Sequence, residues 1–134
     1  MPEIENAIYS RLTGYAGLTA LIGSGANCRL YPVVAQRPHE MPYVIYTRVA
    51  EDRFATHDSD PTLQQTSFSF ECVATTDGAA AAVALQVYDA LVGFQGIAAG
   101  VMIQGILMDA KRYSYDEAAG AYLVDLDMKV WSNL

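Results

Sequence analysis

Cysteine, histidine and basic side chains are all scarce in this 134-residue chain, and each shortage closes off a class of function. The two cysteines, Cys28 and Cys72, have neither CxxC spacing nor a histidine-rich partner segment, so both are expected to be reduced, buried thiols, with a disulfide or catalytic role as the minor alternative. Eight basic against fifteen acidic side chains leave a formal charge of −7, which repels a phosphate backbone and argues against tight binding of DNA. No apolar run approaches the ~18 residues that a membrane-spanning helix needs. The start, Met-Pro-Glu-Ile-Glu-Asn, has no basic segment followed by an apolar one, so no secretory signal is read there and a cytoplasmic site of synthesis and action is expected.

The search for chemistry is equally negative. His39-Glu40 opens like a zinc-protease helix, but Tyr43 stands where the second histidine would be needed and Pro42 forbids the helix. His57 has no cysteine or second histidine nearby. Asp58 and Asp60 fall short of a calcium loop, with its glycine and distal glutamate. Asp125 and Asp127 share a strand face roughly 6 to 7 Å apart, a carboxylate pair that is far more often a solvated or interface face than an acid–base pair. No glycine pattern suits a phosphate and no GxSxG elbow is present. Neither catalytic residues, a metal site nor a cofactor is expected.

What the chain does carry is a rich hydrophobic content of 52% in a length that suits one domain, residues 1–134, able to bury roughly two thirds of its unfolded surface without staples. Pro2, Glu3 and Glu5 begin a helix whose stripe is Ile4, Ile8 and Leu12 and which ends near Gly14. A short helix over Leu18 to Ile22 follows. Arg29 to Val34 reads as a short extended segment broken by Pro32. The first long strand starts at Tyr43 in a β-branched and aromatic run that is apolar on both faces.

From Glu51 to Gln65 the pattern vanishes, which predicts a loop whose anchors on a partner are Arg53 and Phe54, with aspartates such as Asp58 at the rim. Thr66 to Ala74 alternates, with Phe68, Phe70 and Cys72 on one face. Thr75-Thr76-Asp77 offers a cap for a helix running to Leu91, with Gly93 as its stop. Gly100 to Asp109 is a third long strand, apolar on both faces except for Gln104. The last strand, Tyr122 to Trp131, points Tyr122, Val124, Leu126, Met128 and Val130 at the core. The predicted fold is α+β: a largely antiparallel four- to five-stranded sheet with helices packed on one side. Its core should bring together Phe68, Phe70, Val87, Leu91, Val124 and Leu126.

Nine tyrosines exceed what a small core needs, and tyrosine suits protein interfaces. Lys111, Arg112, Tyr113 and Tyr115, in what reads as a polar connection between two long strands, form the strongest candidate for a partner surface.

Several strings, taken in order, carry a family likeness. They are Arg29-Leu30-Tyr31-Pro32, Met41-Pro42-Tyr43-Val44-Ile45-Tyr46, Phe70-Glu71-Cys72-Val73-Ala74-Thr75, Ile103-Gln104-Gly105, Lys111-Arg112-Tyr113 with Tyr115-Asp116, and Asp127-Met128-Lys129-Val130-Trp131. Spanning nearly the whole chain, this set resembles the tail-terminator or tail-completion family of long-tailed bacterial viruses and related gene-transfer particles. The resemblance implies a virion protein of the head-proximal end of the tail, assembled in the host bacterial cytoplasm. It further implies a hexameric homo-oligomer that ends the tail tube, meets the tail-tube protein and the head connector or stopper, and lets DNA pass transiently through its channel. No membrane and no catalytic residue is implied. Two rivals stand beside it: another head–tail joining or tail-tube subunit, and a small-ligand or hydrolytic α+β domain.

Overall fold

The computed structural model describes residues 3–25, 28–32, 41–54, 63–118 and 120–133. The chain runs α1 (Glu3–Thr13), α2 (Ala16–Ile22), β1 (Leu30–Pro32), β2 (Tyr43–Phe54), β3 (Leu63–Ala74), α3 (Asp77–Leu91), β4 (Gly96–Ala98), β5 (Val101–Asp116) and β6 (Ala121–Asn133). The strands form one sheet in the order β1-β2-β3-β6-β5-β4. The α+β class holds, but the sheet has six strands and is mixed, against the four to five largely antiparallel strands expected. β1 falls within the extended segment expected over Arg29 to Val34 and makes the sheet mixed by pairing parallel, whereas the three-residue β4 is too short to show a period in sequence. β1 lies parallel to β2, with Leu30 opposite Val44. β4 folds back on β5 through the turn at Ala99 and Gly100.

Local chemistry sets both ends of α3. Thr76 caps α3 by accepting a hydrogen bond from the Ala79 amide at 3.1 Å, which satisfies one of the donors a helix start leaves orphaned. At the other end Gly93 takes a φ of 85°, a left-handed conformation that glycine adopts without a Cβ clash. Its amide donates to the Ile106 carbonyl, tying the helix exit to β5. Two arginines join separate elements through backbone carbonyls. Arg11 donates to the Ala90 carbonyl at 2.7 Å with its guanidinium over the Phe94 ring. Arg29 donates to the Leu21 and Pro42 carbonyls, holding the end of α2 beside the start of β2.

The helices cover one face of the sheet. Ile4, Ile8 and Leu12 of α1 and Ala80, Ala84, Val87 and Leu91 of α3 are buried against Phe68, Phe70, Val124, Leu126, Met128 and Val130. The six residues expected to form the core are all in it. The alanines along α3 let the helix approach β3 and β6 closely.

Two boundaries depart from expectation. Glu51 to Phe54 and Leu63 to Gln65 are paired strand residues, with the β2–β3 ladder running out to Phe54 opposite Leu63. This arm reads as loop in sequence because its core-side positions are polar. Gln64 donates to Glu51 and to Thr66, so side-chain hydrogen bonds replace apolar packing there. Positions 55–62, including Asp58, lie outside the described residues. β5 likewise extends through Asp116 and swallows the supposed polar connection, leaving only positions 117–120 between it and β6.

Candidate functional site

Among the described residues no group of three or more His, Cys, Asp or Glu is placed to hold a metal ion. What the described residues present instead is one sheet face without a helix and two sheet edges that no described strand fully covers.

The helix-free face is polar where β3 and β6 meet. Directly opposite residues in a ladder share a face, so Glu71, Asp125 and Arg112 form one row across β3, β6 and β5. The Arg112 guanidinium passes over its direct neighbour Asp125 and donates to Asp127 at 2.6 Å. One Asp125 oxygen is shut off from solvent without a hydrogen-bond partner. Burial pushes the Asp125 carboxyl above the ordinary aspartate range; Arg112 opposes the shift and Asp127 adds to it. Burial, helped by Asp125 and Asp116, raises the Glu71 carboxyl in the same way. Beside this row a groove of about 360 Å³ runs between Val49, Ser67, Ser69, Asp109, Arg112 and Asp127. The bland expectation for Asp125 and Asp127, an interface or solvated face, fits this arrangement better than acid–base chemistry. A glycosidase pair needs a substrate cleft between its carboxyls, whereas Asp127 is engaged by Arg112.

The cluster expected on a connection is on the strand β5, and the twofold period of the strand splits it. Arg112 faces the polar side. Lys111, Tyr113 and Tyr115 stand opposite Leu126, Val124 and Tyr122 on the helix side, where Lys111 borders α3 and the strand then runs out past it. Tyr113 is accordingly 61% exposed, with the Lys111 ammonium 5.3 Å from its ring centroid. Tyr115 and Tyr122 pack ring to ring at 4.7 Å. Tyr122 was expected to face the core; at the strand's outer end no helix covers it, and it is 37% exposed. Arg53 and Phe54, expected in a loop, are paired strand residues at the end of β2.

Sequence reasoning missed Val49, Met102, Leu107 and Met108, all exposed apolar residues. The signal was present: β2 and β5 read as apolar on both faces while only one face has helices to bury it. Leu107 is 60% exposed, and Met108 lines a second groove of about 250 Å³ with Leu85, Tyr88 and Lys111, between α3 and β5.

An uncovered apolar and aromatic sheet margin is the kind of surface that assembly subunits bury on partners. Residues 6–133 match the family described as tail completion protein gp17, and the chain belongs to that family. It is thus a structural protein of phage-type tails. Among solved structures, the chain is similar to a chain of one described as "Virion of native gene transfer agent (GTA) particle". That likeness has a TM-score of 0.75 and 24% identity, covers 96% of this chain and 92% of the other, and establishes the shared fold. No match is found among curated proteins.

Proposed function

We propose that the protein closes into a ring, a hexamer, at the head-proximal end of a tail tube, where it stops tube growth, meets the head connector and surrounds a channel for DNA. The observation that carries this reading is the family match over residues 6–133. The two partly open edges of the sheet support it, because a subunit with an unpaired edge on each side is suited to head-to-tail closure. The helix-free face, with Glu71, Asp109, Asp125 and Asp127 against Arg112 and Lys129, is the surface offered to the channel. Six copies at −7 each carry a formal −42, and a wall of that sign lets a polyphosphate slide without gripping it.

Native mass spectrometry of tail caps released from particles tests the reading. A closed homo-oligomer, hexameric and bound to tail-tube protein, is expected. A strictly monomeric subunit within the particle would overturn it. A ring found at another level of the tail would favour the tube-subunit alternative.

A further inference from the structure

The sheet's two margins are open in a matched way. β4 covers β5 only from Val101 to Ile103, and the Gly93 amide takes the Ile106 carbonyl. From Leu107 to Tyr115 no described strand pairs with the outer side of β5. On the far margin β1 covers β2 only from Val44 to Tyr46, and from Thr47 to Phe54 no described strand follows. Both open stretches are blunted in the manner of protected edges. β2 carries a bulge between Arg48 and Ala50, β5 one between Met108 and Ala110, and charged side chains stand on each. Such edges resist indiscriminate pairing and accept a partner of complementary charge.

β2, β3, β6 and β5 are successively antiparallel, so β2 and β5 run in opposite directions. Rotation about a ring axis preserves a strand's sense along that axis, so β5 of one copy meets β2 of the next antiparallel, with the helices of both on the same side. Face and charge then select the register. Lys111 stands opposite buried Leu126, and Glu51 stands opposite buried Thr66, so both lie on the helix side of the sheet. Both are exposed.

The geometry points to an intersubunit β-ladder, in which β5 of one copy pairs antiparallel with β2 of a second copy and Lys111 sits opposite Glu51 of that copy. This inference rests on the ring proposed above and adds which edges make it. The ladder gives the open stretch of β5 hydrogen-bonding partners and covers exposed Leu107 and Tyr113. The Glu51 carboxylate, already accepting from Gln64, has lone pairs left for the ammonium.

The test is a cysteine pair, Glu51→Cys with Lys111→Cys, in assembled particles. Directly opposed strand residues have Cβ atoms roughly 4.5 to 5.5 Å apart, close enough for a disulfide after slight adjustment. Oxidation is expected to give a covalent ladder rising to the full ring size on a non-reducing gel, with neither single variant doing so. Separately, Lys111→Glu or Glu51→Lys should lower the assembled fraction roughly tenfold, since like charges now face each other, and the double reversal should restore it. A ring seen intact by native mass spectrometry with no cross-link, and with no restoration by the double reversal, overturns the β5–β2 pairing while leaving the ring standing. Absence of any ring overturns both.

Discussion

Glu71 and Asp125 stand directly opposite each other on β3 and β6, two carboxylates facing across a ladder with only Arg112 beside them as counter-charge in the row. Like charges in that position oppose pairing. Burial comes first in raising both carboxyls; Asp125 adds to the shift of Glu71, and Asp127 to that of Asp125.

The sign of the resulting pH dependence follows from linkage. A carboxyl whose folded value lies above its unfolded one holds its proton in the native state after the unfolded chain has lost it. Between the two values the native state binds more protons, so stability falls as pH rises through that window, and the penalty is complete above it. Glu71→Gln removes the penalty. Urea melts should show the variant gaining on the wild type as pH rises from below the ordinary glutamate value of about 4.3 to neutrality. A difference that does not change with pH would contradict the assigned environment.

Phe70 is fully buried, stacks on Phe68 at 6.0 Å between centroids and faces the α3 stripe. Phe70→Ala should cost about 3 to 5 kcal/mol in chemical denaturation. A loss well under that would mean that β3 does not present this face to the helices.

Ala99 adopts a φ of 47° beside Gly100 at 83°, in the two-residue turn joining β4 to β5. A residue with a Cβ pays roughly 1 to 2 kcal/mol there, whereas asparagine tolerates the conformation. Ala99→Asn should raise the melting temperature; a lowered one would contradict the turn geometry.

Cys72 is fully buried beneath α3, and burial, reinforced by Asp125 and Glu71, pushes its thiol far above the ordinary range despite Lys111. Cys28, half-buried, is raised mainly by burial. Since the thiolate is the reactive form, iodoacetamide should leave Cys72 untouched in the native protein and label Cys28 more slowly than a free cysteine. Rapid modification of Cys72 would contradict the packing of β3.

The core and most of the element order were legible because side-chain period and capping are local signals. Phe68, Phe70 and Cys72 alternate with polar partners, and Thr76 caps at the position its sequence neighbours suggest. The ends of the long strands were not legible. Beyond the helices, β2 and β5 are held by backbone pairing, and residues such as Gln64, Glu51 and Lys111 have no apolar pattern to betray a strand. The partner-surface candidates at 111–115 were found by composition, yet their division between two faces needed the register, as did the exposure of Tyr122 and Leu107.

The central claim is the ring at the end of the tail, and cryo-electron microscopy of the intact particle, with this chain located by fitting its fold, tests it most directly. The account predicts density for a closed ring of six copies between the tail tube and the head connector, with the helix-free sheet face toward the channel. A single copy at that level, or copies repeating along the tube, would contradict it.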